Sequence, residues 1–338
     1  MKTNLLDLSK RNFLCVGAAA LASLKLFNLE GTAHAAANKP ESLKGITVEE
    51  FESVKKMAQY ARDVQDVQRC WSRHASYDAA GKNREHVDLI MAQHQPDVAF
   101  IQPTGMWVGL KAIKTAYVDW WEAQYAVMLA NARKVYPDIP DDPKYSLVGW
   151  QKMHTNCTPN IVIAGDRKTA KGSWESPGYI TEPSAGGNVM AQFLWERYFV
   201  DFIMEDGEWK IWHMNLLVQM GHTPGKSWVD EYKEQKAGGG RGGSQPAGGA
   251  PAGGQQGGAP GSQLGVALGG GGQGNTVQRP AQTPELRCQS YATDKLCGIL
   301  TPGFPRQPEP YYTFSETHSY GPDMLESFAR LDKKAKAK

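Results

Sequence analysis

The sequence has almost no charge surplus: 37 Lys and Arg stand against 35 Asp and Glu in 338 residues, a formal net charge of +2. A nucleic-acid protein would show a concentrated basic excess, so that class is set aside. No uncharged apolar run reaches the roughly 20 residues that a mature helix needs to cross a bilayer. The five cysteines show no Cys/His spacing of a zinc site, and no cofactor motif is present, so neither a metal nor a cofactor is expected. Bulky residues nearly vanish between 237 and 275, where 18 of the 36 glycines fall. Segment 236–278 therefore reads as a flexible linker with no core of its own.

Aromatics make up 10% and hydrophobic residues 41%, enough for a packed core outside that linker. At the N-terminus, Ser9-Lys10-Arg11-Asn12-Phe13-Leu14 precedes an Ala-rich apolar stretch and then Ala33-His34-Ala35. This order is that of a secretory signal spanning residues 1–35 with a small-x-small cleavage site. It resembles the twin-arginine signal, with Lys10 in place of the first arginine, and implies export to the periplasm and a mature start near Ala36. Among the remaining cysteines, Cys288 and Cys297 are close enough in sequence to form a small clip in an oxidising compartment. Cys70 and Cys157 read as buried free thiols.

Thr47-Val48-Glu49-Glu50 is a capping-box start, leading into Phe51, Val54 and Met57 at helical spacing. A second helix is expected from Val64 to about Tyr77, ended by Ala79-Ala80-Gly81. A third, short one carries His86, Leu89 and Ile90. Val98 to Ile101 reads as a strand, and Gly109 opens a helix through Tyr117 to Trp121. After Pro143 the chain turns to β: Asn160–Ala164 and Thr169–Trp174 form a hairpin, and Met190–Met204 returns through Asp206-Gly207 into Trp209–Met220. Helices followed by meandering antiparallel strands predict an α+β domain over 47–225, its helices on one face of a curved sheet. The 283–338 tail is too small to fold alone and is expected to dock on its own or a neighbouring subunit.

Three pieces of this pattern resemble the SnoaL-like branch of the NTF2-like superfamily. They are Trp71 to Asp78 with Asp97-Val98-Ala99-Phe100, Gly109 to Tyr117, and Glu196-Arg197-Tyr198 with Asp206-Gly207-Glu208-Trp209. The resemblance covers about half the chain. It implies a cone-shaped barrel, a bent antiparallel sheet wrapped on helices around a small-molecule pocket, in a homo-oligomer such as a dimer or trimer. Ser76-Tyr77-Asp78 looks like the Ser-Tyr-Asp of scytalone dehydratase, in which Tyr and Asp line the pocket, and His154 falls at the position of that enzyme's catalytic histidine. The chain departs from that pattern at Val98–Ile101, where the enzyme carries a second pocket tyrosine.

The residues themselves carry acid/base chemistry. A carboxylate that orients an imidazole makes it a better base, and a tyrosine hydroxyl can donate to a developing oxyanion. His74 and Asp78, four apart on a helix, share a face. His154, Asp78, Tyr77 and His74 are the candidate catalytic residues. Trp71, Phe100, Arg197, Tyr198 and His213 are the candidate substrate-binding residues. The expected activity is a cofactor-independent, dehydratase-type lyase acting on a hydroxylated aromatic or polycyclic small molecule. An isomerase or a formaldehyde-releasing retro-aldol lyase would use the same parts, and a non-catalytic ligand-binding or accessory protein is the alternative from another class.

Overall fold

The computed structural model describes residues 47–102, 105–227, 229–230, 233 and 305–324. The expected signal segment, the linker and Cys288 and Cys297 lie outside them. The described residues open with the expected capping box: Thr47 N donates to Glu50 Oε2 (2.9 Å) and Glu50 N to Thr47 Oγ1 (3.1 Å). The two helices expected after it are one, α1 (Val48–Ala79). The stretch between them has no apolar stripe, but Asp63 there is buried and takes two hydrogen bonds from Arg167 (2.6 and 3.1 Å). That tertiary pairing is invisible to hydropathy spacing. Next come α2 (Asn83–Ile90), β1 (Ala99–Gln102), β2 (Gly105–Val108) and α3 (Leu110–Lys114). A π-helical turn (Thr115–Asp119) then leads into α4 (Trp120–Val135).

The β half comprises β3 (Gln151–His154), β4 (Cys157–Ile163), β5 (Thr169–Pro183), β6 (Val189–Glu205) and β7 (Glu208–His222). Among the described residues these form one sheet in the order β2-β1-β7-β6-β5-β3, with β4 also paired to β5. Among these described strands only the β1–β7 pairing is parallel. The β6–β7 turn has Asp206 at φ 51 and Gly207 at φ 79, the left-handed pair that a tight hairpin requires. Bulges at Trp195/Glu196 and Asp201/Phe202 sharpen the twist and bend the long strands. The result is the expected α+β class, a curved, largely antiparallel sheet with helices on one face.

That inner face holds the main core. Val67, Cys70 and Trp71 of α1, with Val87 and Ile90 of α2, pack on Phe100, Trp174, Tyr198, Val200, Phe202 and Met214 of the sheet. Each such side chain, once fully buried, contributes about 1.5–3 kcal/mol of hydrophobic stabilisation. Residues 305–324 lie across the outer face. Tyr320 packs on Phe199 (5.3 Å between rings), and Tyr320 and Met324 join Ile101, Phe199 and Leu217 in a second cluster. The backbone N–H groups of Gly165 and Asp166 donate to the carbonyls of Tyr311 and Tyr312 (2.9 and 3.0 Å). Cys70 is buried, as expected; Cys157 is exposed instead, because the first four residues of β4 face solvent. No helix among the described residues is long and apolar enough to cross a membrane.

Candidate active site inside the sheet

The inner face of the sheet is apolar except at one end, where α1, α2, the π-helical turn, β3 and β6 meet. Asp78, in the last turn of α1, is buried there. The Lys152 Nζ reaches both of its oxygens (2.7 and 2.6 Å), and the Tyr117 hydroxyl donates to Oδ1 (2.5 Å). Burial alone would raise the Asp78 carboxyl; Lys152, His154 and His74 together outweigh it and hold the group well below the usual carboxylate range. Lys152 is equally enclosed, with side-chain exposure of 5% against 7% for Asp78, and its ammonium also faces the Trp121 ring at 5.6 Å.

His74, one helical turn before Asp78, is buried against Trp71 (4.4 Å between rings), and its Nδ1 lies 2.6 Å from His86 Nε2. Burial pushes the His74 imidazole down to about 4 and that of His86 well below its ordinary value. The pair is therefore neutral at pH 7, one ring donating to the other. His86 also stacks on Tyr117 at 4.7 Å.

His154 ends β3, with a side chain only 6% exposed. Its Nδ1 sits 2.8 Å from Glu196 Oε2, a distance of ion-pair length that lacks hydrogen-bond alignment. Glu196 is held in turn by the Tyr198 hydroxyl (2.9 Å). Of the two carboxylates here, Glu196 and not the candidate Asp78 lies beside His154, while Asp78 is committed to Lys152 and Tyr117. Lys152 and His154 alternate along β3, so their side chains leave the same face about 7 Å apart along the strand. β3 is held tight to β5 by Gly178, opposite His154. A Cβ there would lie 2.1 Å from the Met153 carbonyl oxygen, so only glycine permits this approach.

The structure gathers His154, Asp78, His74, Trp71 and Tyr198 of the expected site, with Phe100 in the same core. Trp71 stacks on Trp174 (4.8 Å) and meets Tyr198 edge-on (4.9 Å). Three expected residues fall elsewhere. Tyr77 is half-buried and its hydroxyl accepts from Arg73 (3.1 Å). Successive helical residues point about 100° apart, so Tyr77 cannot share the direction of Asp78, and Tyr117 is the tyrosine that meets it. Arg197 is on the outer face, paired with Glu175 (2.6 Å from Nε). His213 is also on the outer face. Its Nδ1 is 2.8 Å from Asp201 Oδ2 and its Nε2 3.5 Å from Asp97 Oδ2. Asp201 also receives Lys171 Nζ and, from the tail, Tyr320 N (2.7 Å) and Ser319 Oγ (3.3 Å).

Sequence reasoning missed Lys152, Glu196, Tyr117 and His86. Two of them were signalled by alternation: Lys152 is two residues from His154, and Glu196 is two from Tyr198. Three further polar atoms, Trp71 Nε1, His86 Nδ1 and Ser176 Oγ, are buried with no hydrogen-bond partner among the described residues. Ser176 lies directly across from Glu196 in the β5–β6 register. His154 Nε2 likewise makes no hydrogen bond there.

The sequence matches no family model and no curated protein. Among solved structures, the chain is similar to a Novosphingobium aromaticivorans protein provisionally named a scytalone dehydratase, at 13% identity and TM-score 0.34, over 51% of this chain and 93% of that one. It is also similar to the hexachlorocyclohexane dehydrochlorinase LinA-type3 of Novosphingobium barchaimii, at 11% identity and TM-score 0.33, over 52% and 96%. A third is an NTF2-like protein with a cystatin-like fold from Novosphingobium aromaticivorans, at 11% identity and TM-score 0.30, over 55% and 96%.

Proposed function

We propose that this protein is an NTF2-like, SnoaL-type lyase that uses acid/base chemistry without a cofactor to eliminate water from a hydroxylated aromatic or polycyclic small molecule. One observation carries the reading. Lys152 and His154 project from one short strand into the same buried space, each with its own carboxylate, Asp78 and Glu196. A buried ion pair contributes little to stability compared with apolar residues of the same volume. Ionisable groups gathered in one buried space are candidates for a reactive site.

The roles follow from the free valences. Glu196 beside Nδ1 favours the tautomer with a proton there, which leaves the Nε2 lone pair of His154 as the base. It takes a proton from carbon next to a carbonyl. The C–H electrons form the new double bond, the C–O bond to the β-hydroxyl breaks, and the proton returned by His154 Nε2 makes the leaving group water. Lys152 directs two N–H bonds to Asp78 and keeps a third, which can donate to the carbonyl oxygen as negative charge builds on it. The 7 Å spacing of Lys152 and His154 lets them bracket a carbonyl and its neighbouring carbon. Tyr117 steadies Asp78 through its hydroxyl, and the donation to a developing oxyanion expected of Tyr77 falls to Lys152 in this proposal. Isomerisation and retro-aldol cleavage begin with comparable proton transfers and are alternative outcomes at the same residues. Export to the periplasm belongs to this proposal and rests on residues 1–35 alone.

The test is incubation in D2O with a panel of β-hydroxy aromatic ketones, read by NMR for deuterium next to the carbonyl and by absorbance for the conjugated product. Exchange with elimination supports a dehydratase; exchange with a shifted double bond or a released aldehyde assigns one of the two alternatives. No exchange in any member of the panel overturns the acid/base reading.

A further inference from the structure

The outer face of the sheet carries a second concave site, on the opposite side from Lys152 and His154 and independent of the reading above. It is a cleft of about 150 Å³ lined by Thr158, Ser173, Glu175, Arg197 and Gln307, the last contributed by the tail, and by Trp174, whose ring belongs to the inner core. Arg197 and Glu175 form a forked pair (2.6 Å from Nε, 2.5 Å from Nη2). The second oxygen of Glu175 accepts from the Trp195 indole N–H (3.1 Å). This bond holds Trp195 beside the cleft while 39% of the residue stays open to solvent. Gln307 Oε1 is held by Ser173 Oγ (2.5 Å) and Asn160 Nδ2 (3.5 Å). The Gln307 Nε2 and the Thr158 hydroxyl make no hydrogen bond among the described residues. Thr158 sits at φ 46, a left-handed conformation rare for threonine, where β4 is irregular between Cys157 and Asn160.

We infer that this cleft binds a neutral saccharide. The charges of Arg197 and Glu175 cancel locally, so an anionic or cationic ligand would meet no unpaired countercharge. What is free is the Gln307 amide N–H and the Thr158 hydroxyl, with the Trp195 indole held next to these lining residues by Glu175. A pyranose matches this pairing of surfaces: its C–H face stacks on an aromatic ring, and its hydroxyl edge bonds to amide and hydroxyl groups. Because Gln307 belongs to the docked tail, binding requires the tail in place.

The experiment is titration of the whole protein with glucose, N-acetylglucosamine and cellobiose, followed by tryptophan fluorescence and by NMR of the indole and side-chain amide N–H signals. Gluconate serves as the charged control. At least one sugar should shift the Trp195 indole and Gln307 amide signals, with gluconate binding at least tenfold more weakly. Trp195→Ala should lower the affinity tenfold or more while the melting temperature stays the same, and Gln307→Ala should lower it severalfold. No response to any of the three at about 50 mM, well above the millimolar range of weak specific binding, overturns the proposal. So does equal binding of gluconate, or unchanged affinity in Trp195→Ala.

Discussion

Replacing Lys152 with methionine tests whether the interior site is as enclosed as its geometry requires. The substitution keeps most of the side-chain volume and removes the charge. The Asp78 carboxylate, 7% exposed, would be left with the Tyr117 hydroxyl as its hydrogen-bond donor. Breaking one side of a buried ion pair costs about 3–5 kcal/mol. In a domain of this size each kcal/mol moves the melting temperature by about 2–4 °C, so Lys152→Met should melt roughly 6–20 °C lower. Adding Asp78→Asn removes the stranded charge, and the new amide carbonyl can still accept from Tyr117, so the double variant should recover most of the loss. Urea unfolding followed by fluorescence and circular dichroism gives the free energies and checks that the transition is two-state. A loss below about 1 kcal/mol in the single variant would mean the pair is solvated and would refute the enclosed site; so would a double variant as unstable as the single one.

Three further outcomes are expected. The folded-state value of His74 is depressed, to about 4 against an ordinary 6.5. Its neutral form therefore contributes stability that is complete above pH 6.5 and is lost as pH falls towards 4, on the order of 3 kcal/mol for that shift. Urea midpoints of the wild type should drop across this window and those of His74→Gln should drop less; parallel curves would refute this origin. Gly178→Ala should push β3 off β5, cost about 1–3 kcal/mol as overpacking does, and reduce turnover more than stability; unchanged turnover would show that β3 does not position the site. Asp201→Asn should strand the charge of the fully buried Lys171 and leave one carbonyl oxygen where two carboxylate oxygens served Lys171 and Tyr320 N. Hydrogen exchange should then accelerate in 305–324 well before it does in β6, and uniform protection would contradict that docking.

The helices, the long hairpins and the α+β class were legible because their signals are local: a capping box, 3.6-residue spacing, an Asp-Gly turn. β3 was not, and its pattern explains why. Lys152 is buried while Met153 is 42% exposed, which inverts the usual apolar-in, polar-out alternation. A short strand of Gln, Lys, Met and His then reads as loop, and such a local inconsistency is where a functional site is expected. The same parity decided β6: Glu196 and Tyr198 point inward, leaving Arg197 outside. His213 depended on a bulge. Asp201 pairs with His213 but Phe202 with Ile211, so the extra residue at Trp212 changes the face of the strand residues on either side of it, and no spacing rule announces it. Tyr117 sits in a π-helical turn, where helical spacing misplaces a side chain.

The proposed chemistry turns on His154, and the direct measurement is deuterium exchange and thermal melting on the same preparation of His154→Ala, using the ketone that the wild type processes best. Loss of a positioned base lowers rate by about 100-fold or more, whereas one substitution of this kind shifts stability by about 1–2 kcal/mol. The predicted result is exchange reduced at least 100-fold in a protein that still melts within a few degrees of wild type. Wild-type exchange in folded His154→Ala would contradict the assignment, and with it the acid/base site on β3.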